Sequence, residues 1–327
     1  MENNTITAIS GIRVGHYENR EALRGVTVVR FPKEGAVASV DVRGSAPGTR
    51  ETDLLDPINT IQRIHALVLT GGSAYGLESA SGVMMRLEEE RIGYPAGPNL
   101  VVPIVPAAVI FDLSVGDSRI RPTRDWGYLA ALSASRAPVK SGNVGAGLGA
   151  TVGKLLGADR RMKGGLGSFV WTLPDGVKVG ALVVVNALED IVDPKSGIIA
   201  GARGETPGSF ADSTQALMDG VESPVLTGTN TTIGVVATNA RLDKTQLRKM
   251  ARMAHNGLAK TIHPAHTILD GDTIFAVSVP EESESRENPS VNFMAIAVAG
   301  EKALAKAILL GVKRAESIAG IPAYKGG

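Results

Sequence analysis

Short apolar runs rich in β-branched residues constrain this chain more than any other feature. They are GVTVVRF (residues 25–31), GAVASVDVRG (35–44), ALVLTGG (66–72), VKVGALVVVNAL (177–188), TTIGVVATNA (231–240) and DTIFAVSVP (272–280). Branching at Cβ suits a pleated, half-buried strand, and the glycines, prolines and asparagines between the runs suit turns. The early runs are near neighbours joined by short glycine-bearing links. That spacing predicts antiparallel pairing rather than strict strand–helix–strand alternation. Helical periodicity fills other gaps. In YGLESASGVMMRLEEE, Leu77, Ala80, Val83, Met84 and Leu87 share one face. In LDKTQLRKMARMAHNGLAKTI, Leu247, Met250, Ala251, Ala254 and Leu258 do the same, with Asp243 and Gln246 spaced as a capping box. A last helix is predicted from about Val291 to Lys313, apolar around much of its surface and therefore largely buried. The order predicts a layered α+β domain with at least two sheets covered by helices.

The segment GARGETPGSFADSTQALMDGVESPVLTG (residues 201–228) breaks this pattern. It is polar, punctuated by Gly and Pro, and has room for at most one short helix. It reads as an exposed connector that ends just before Thr231. The 327 residues fit one large α/β domain or two smaller ones. Lys plus Arg number 34 and Asp plus Glu 33, so no basic face points to nucleic acid. Cysteine is absent, which excludes disulfides, zinc–thiolate sites and a cysteine nucleophile. The start, MENNTITAISGIRVGHY, lacks the basic and apolar regions of a signal peptide, and no long unbroken apolar stretch predicts a membrane helix. A soluble, cytoplasmic protein is expected.

Several motifs invite a function and decline it. GNVGAGLGATVGK (residues 142–154) resembles a phosphate loop, but Lys154 is followed by Leu155 where Ser or Thr is needed. Close backbone packing near a site fits better, with Lys154 as its ionisable side chain. Ser73, in LTGGSAYGLESASG, lacks the spacing of a nucleophile elbow and reads as a helix start lining a pocket. His263 and His266 frame HPAH, but Pro264 opposes a helical metal pair, and no metal or other cofactor is expected. HTILDGDTIFAV places Asp270 and Asp272 around Gly271 at the mouth of an apolar strand. This is either an ordinary Asp-Gly turn or a pair of carboxylates that perturb each other's protonation.

GTNTTIGVVATNARL (residues 228–242) carries the strongest chemistry. A threonine hydroxyl is a weak nucleophile that needs a base. Cutting the Asn230–Thr231 bond would give Thr231 a free α-amine of unperturbed pKa about 7.7–8.0, so that one residue supplies nucleophile and base. The hydroxyl can make the cut itself through an N-to-O acyl shift. Such a bond is expected at the tip of an exposed, strained connector and at the start of a rigid strand.

GTNTTIGVVATNA followed by HTILDGDTIFAV resembles the self-processing N-terminal-nucleophile hydrolases of the D-aminopeptidase and β-peptidyl aminopeptidase family, to which nylon-oligomer hydrolases belong. GIRVGHY, VDVRGSAPGTRE, LTGGSAYGLESASGV, GAGLGATVGK and VVVNALED match in order, so the likeness spans nearly the whole chain. It implies a four-layer α-β-β-α sandwich with four strands or so in each sheet. It implies one domain, residues 1–327, cleaved between Asn230 and Thr231 into 1–230 and 231–327. It places the nucleophile and base at Thr231, an oxyanion donor at Asn186, a cation at Lys154 that favours an unprotonated amine, and orienting carboxylates at Asp270 and Asp272. It also implies a homo-oligomer of cleaved pairs, commonly a tetramer. Phe111 stands where nylon-oligomer hydrolases carry a tyrosine near the nucleophile, so any hydroxyl contribution from that position is lost.

The leading expectation is an autoprocessed aminopeptidase or amidase acting on short peptides or oligoamides through an acyl-enzyme at Thr231. A 6-aminohexanoate oligomer hydrolase, an acyltransferase of the ornithine acetyltransferase type, and a non-enzymatic binding protein of the same fold are the alternatives.

Overall fold

The computed structural model describes residues 3–224, 228–280 and 292–324. Its principal strands are β1 (Arg13–Asn19), β2 (Arg24–Arg30), β3 (Ala36–Val42), β4 (Thr49–Arg50), β5 (Arg63–Ile64), β6 (Ala66–Thr70), β7 (Ala107–Val109), β8 (Gly165–Thr172), β9 (Lys178–Asn186), β10 (Thr231–Thr238) and β11 (Thr273–Ser278). The helices are α1 (Ser79–Glu89), α2 (Arg124–Leu132), α3 (Ser213–Met218), α4 (Lys244–Ala259) and α5 (Phe293–Lys313). Val291, where the last helix is expected to begin, lies outside the described residues.

One sheet has five strands in the order β1-β2-β6-β7-β4, and the other has six, in the order β8-β9-β10-β11-β3-β5. Period-two alternation sends successive side chains to opposite faces. Leu182 and Val184 of β9, Ile233 and Val235 of β10, and Phe275 and Val277 of β11 point inward against Val29, Leu67 and Leu69 of the facing sheet. Their neighbours Ala181, Val183, Val185, Val236 and Ile274 point outward onto Met250 and Ala254 of α4 and Leu304 and Ile308 of α5. The outer face of the five-stranded sheet does the same, packing Val26, Val28 and Val68 under Val83 and Leu87 of α1 and Trp126 and Ala130 of α2. The result is an α-β-β-α sandwich. Burying each such Val, Leu or Ile side chain contributes about 1.5–3 kcal/mol. The capping box of Asp243 and Gln246 is formed at the start of α4.

Two features differ from the sequence reading. Each sheet exceeds four strands, chiefly because the two-residue strands β4 and β5 extend the edges. The neighbouring strands β2 and β3 do not pair. β2 runs antiparallel to β1 and β6, whereas β3 runs antiparallel to β11 and β5 in the other sheet. Five linking residues can span roughly 16 Å when extended, enough to step between sheets stacked about 10 Å apart. The pairs β6–β7 and β10–β11 are parallel.

The connector after β9 is largely exposed between residues 203 and 224 and carries the short α3, capped by Asp212. Residues 225–227 lie outside the described residues. Among the described residues no helix is long and apolar enough to cross a membrane.

Candidate active site

Thr231 opens β10 in the middle of the six-stranded sheet. On one side it pairs with Asn186, the last residue of β9. On the other, Asn230 bridges to Asp270 in parallel register, ahead of the β10–β11 ladder. The β-branched run from Thr231 favours the strand, and Gly228, at φ +79°, makes the turn into it. The peptide between Asn230 and Thr231 is not at an exposed tip. Asn230 is 0% and Thr231 4% exposed, because pairing begins at Asn230 itself and carries the bond inside the sheet.

The carbonyl oxygen of Asn230 receives two donors. The Thr231 hydroxyl donates to it, and so does the Gly271 N–H, at 2.9 Å. Gly271 has to be a glycine to come this close. A Cβ there would lie 2.8 Å from Thr231 Oγ1 and 2.7 Å from the Ala46 carbonyl oxygen. The contact places a hydroxyl and a fixed amide on the same carbonyl, which is the arrangement acyl transfer needs.

Asp270 and Asp272 flank Gly271 and are both buried. Asp272 Oδ1 accepts the Thr232 N–H at 2.7 Å, and its Oδ2 lies 2.8 Å from His266 Nδ1. Asp270 Oδ2 accepts the Thr267 N–H at 2.7 Å and the Thr267 hydroxyl at 2.8 Å. Its Oδ1 is buried with no hydrogen-bond partner of its own. Thr267 Oγ1 also lies 3.2 Å from Glu189 Oε1, and Glu189 is 2% exposed. Thr267 has a single hydroxyl proton for two carboxyl groups, so one of them must carry a proton for both contacts to be hydrogen bonds. Burial, followed by the charges of Asp270 and Asp272, pushes the Glu189 carboxyl well above its usual range. Burial and Asp272 push Asp270 upward as well. A protonated Glu189 can donate to the Thr267 hydroxyl, which in turn donates to Asp270 Oδ2.

Lys154 enters from the glycine-rich loop. Its Nζ donates to the Asn186 carbonyl at 2.9 Å and to the Thr229 carbonyl at 3.4 Å. Burial lowers its pKa to about 7, against the opposing pull of Glu189 and Asp270. It is therefore only partly charged at neutral pH. The loop approaches this closely through Gly153, at φ +66°, where a Cβ would fall 1.9 Å from the Gly201 carbonyl carbon.

The Asn186 side chain is held at both ends. Oδ1 accepts the Thr151 N–H at 3.0 Å, and Nδ2 donates to the Phe111 carbonyl at 3.1 Å. The amide has a second N–H to offer. Phe111 contributes its backbone oxygen here, a contact independent of its side chain.

The structure thus gathers Lys154, Asn186, Thr231, Asp270 and Asp272 around the Asn230–Thr231 peptide. Glu189, His266, Thr267 and Gly271 also belong to the cluster, although no sequence pattern singled out their contacts. Ser73 and its turn are held by the segment around Phe111, Gly72 donating to Asp112 and the Ser73 N–H to the Ile110 carbonyl. Among the described residues, no group of three or more His, Asp or Glu side chains is arranged to hold a metal ion.

Peptidase family S58 matches the chain over residues 4–325. An uncharacterized aminopeptidase of Mycobacterium tuberculosis is 47% identical over 344 residues, covering 98% of this chain and 97% of the relative. A 6-aminohexanoate-oligomer endohydrolase of Kocuria sp. is 32% identical over 313 residues, covering 93% of this chain and 84% of the relative. Among solved structures, a β-aminopeptidase of Burkholderia sp. superposes with a TM-score of 0.72 at 20% identity, covering 98% of this chain and 90% of the other. The L-aminopeptidase D-Ala-esterase/amidase of Ochrobactrum anthropi, described as a variant of the Ntn hydrolase fold, gives 0.70 at 19% identity, covering 98% and 88%. At those identities the two structures speak for the fold.

Proposed function

The chain belongs to peptidase family S58 and is a hydrolase of the aminopeptidase and amidase kind, and from that premise we propose that it matures by cutting itself between Asn230 and Thr231 and then works through the Thr231 so exposed. The observation that carries this reading is the Thr231 hydroxyl seated on the Asn230 carbonyl, with the Gly271 N–H on the same oxygen. Attack by Oγ1 on the Asn230 carbonyl carbon forms a tetrahedral oxyanion that the Gly271 amide steadies. Collapse breaks the C–N bond, leaving an ester on Thr231 Oγ1 and a free amine on Thr231. Water hydrolyses the ester, so that residues 1–230 end in a carboxylate and residues 231–327 begin with the amine.

In turnover the same hydroxyl attacks a substrate amide, with the new amine as base. Its unperturbed pKa, about 7.7–8.0, suits that task near neutral pH. Asp272 orients the strand start through the Thr232 N–H, Lys154 holds the Asn186 carbonyl, and the free N–H of Asn186 serves the acyl oxyanion. Asp270, with Glu189, supports the loop that carries Gly271. Substrates are short peptides or oligoamides with a free amino end. The Kocuria relative favours a second reading within the same chemistry, an oligomer of 6-aminohexanoate as substrate. The working form is a cytoplasmic homo-oligomer of cleaved pairs, with a tetramer as the expected size.

A denaturing gel with mass spectrometry tests the cut. Two fragments are expected, the smaller beginning at Thr231, and Thr231→Ala should stay as one band. An intact wild-type chain after prolonged incubation sinks the proposal.

A further inference from the structure

His266 lies in the HPAH stretch whose spacing opposes a metal pair, and in the fold it turns toward the candidate site. Its Nδ1 sits 2.8 Å from Asp272 Oδ2, with side-chain exposures of 18% for His266 and 6% for Asp272. An ionised carboxylate can only accept, so Nδ1 is a ring nitrogen that carries a proton and donates it to Asp272. The other ring nitrogen, Nε2, is buried without a hydrogen-bond partner. The other Asp272 oxygen accepts the Thr232 N–H at 2.7 Å. One carboxylate is thereby clamped between an imidazole and the backbone one residue past Thr231.

The backbone carries a second signal. His266 has φ +59°, a left-handed conformation uncommon outside glycine. Its ring is kept in place by His255, packed edge to face at 4.8 Å between centroids. His255 is fully buried and fixed by its own Nε2 contact to the Asp41 carbonyl at 3.0 Å. The next residue, Thr267, binds Asp270, so two consecutive residues each hold one of the paired carboxylates.

We propose that His266 is a positioning residue of the Thr231 site: its Nδ1–H fixes the Asp272 carboxylate, and through the Thr232 N–H that carboxylate fixes where the Thr231 hydroxyl stands. The proposal rests on the Thr231 reading above. It separates two amide replacements by geometry. Asparagine places its amide nitrogen close to where Nδ1 stands and tolerates a left-handed backbone, whereas glutamine reaches toward the Nε2 position.

The test follows self-cutting in full-length chains pulse-labelled during cell-free translation, which requires no choice of substrate. Wild type, His266→Asn, His266→Gln and His266→Leu are compared, each with its melting temperature. His266→Asn should cut within about threefold of wild type, and His266→Gln and His266→Leu about tenfold or more slowly, as expected for loss of a hydrogen bond to a charged group. Equal cutting rates for the Asn and Gln variants, both fast or both slow, would overturn the positioning role even if the leucine variant fails to fold. A wild-type chain that never cuts sinks the Thr231 reading and the positioning role with it. A wild type that cuts while Asn and Gln behave alike sinks the positioning role alone.

Discussion

Lys154 Nζ stands 2.9 Å from the Asn186 carbonyl oxygen and 3.4 Å from that of Thr229, so one buried amine ties the end of β9 to the residue two before β10. Methionine matches the length of lysine without its polar head. Lys154→Met should leave the fold intact, since it removes a group that resists burial in its charged form, but should slow self-cutting and turnover by about tenfold or more. Paired measurements of melting temperature and fragment formation check this. An unchanged cutting rate would remove Lys154 from the machinery.

Gly271→Ala probes the close approach. The added methyl would sit 2.8 Å from the Thr231 hydroxyl, so the loop must move away from the carbonyl its N–H touches. Overpacking of this kind costs roughly 1–3 kcal/mol. A single uncut band on a denaturing gel is expected, with a lowered melting temperature. Ordinary fragments at the normal rate would show that the amide is not needed.

Glu189 is expected to act as a protonated acid, and glutamine is a neutral stand-in that keeps a donor. Glu189→Gln should therefore mature and turn over within about threefold of wild type at neutral pH. Glu189→Ala, which removes the carboxyl partner of the Thr267 hydroxyl, should lose about 1–3 kcal/mol of stability. Thermal melts and cutting rates of both variants decide it. A Gln variant as impaired as the Ala variant would mean that the ionised form is required.

The fully buried His255 gives a pH signature. Burial lowers its pKa from 6.5 to about 4, so between those values the unfolded chain binds more protons than the folded one. Stability from this group is complete above pH 6.5 and is lost as the pH falls through about 4, with an upper size of about 3 kcal/mol. Asp190, raised by burial to about 6, works in the opposite sense over part of the same range. The difference between wild type and His255→Gln therefore isolates the histidine. Chemical denaturation at intervals from pH 4 to 7 should show wild type gaining stability relative to the variant as the pH rises, and parallel curves would contradict it.

Much of this architecture was legible because burial on two faces leaves a mark in sequence. The runs containing Leu182, Ile233 and Phe275 are continuous and apolar, and each became a strand between two packed layers. The early links were misleading for a physical reason: a short loop can close a hairpin or step between stacked sheets, and the choice between β2 and β3 depends on distant partners. The same limit applies at the candidate site. Thr231 and the Asp270–Asp272 pair stood out through their own chemistry and their flanking strands. Glu189, Thr267 and His266 matter through contacts that only the fold creates, and Gly271 reads locally as an ordinary turn glycine.

The strand order has a mechanical consequence. β10 and β11 come after Thr231 in the chain, yet they lie between β9 and β3, which precede it. A nick ahead of Thr231 would therefore free no fragment. The two polypeptides would stay interlocked along both ladders, and prising them apart would mean dismantling the sheet from its centre.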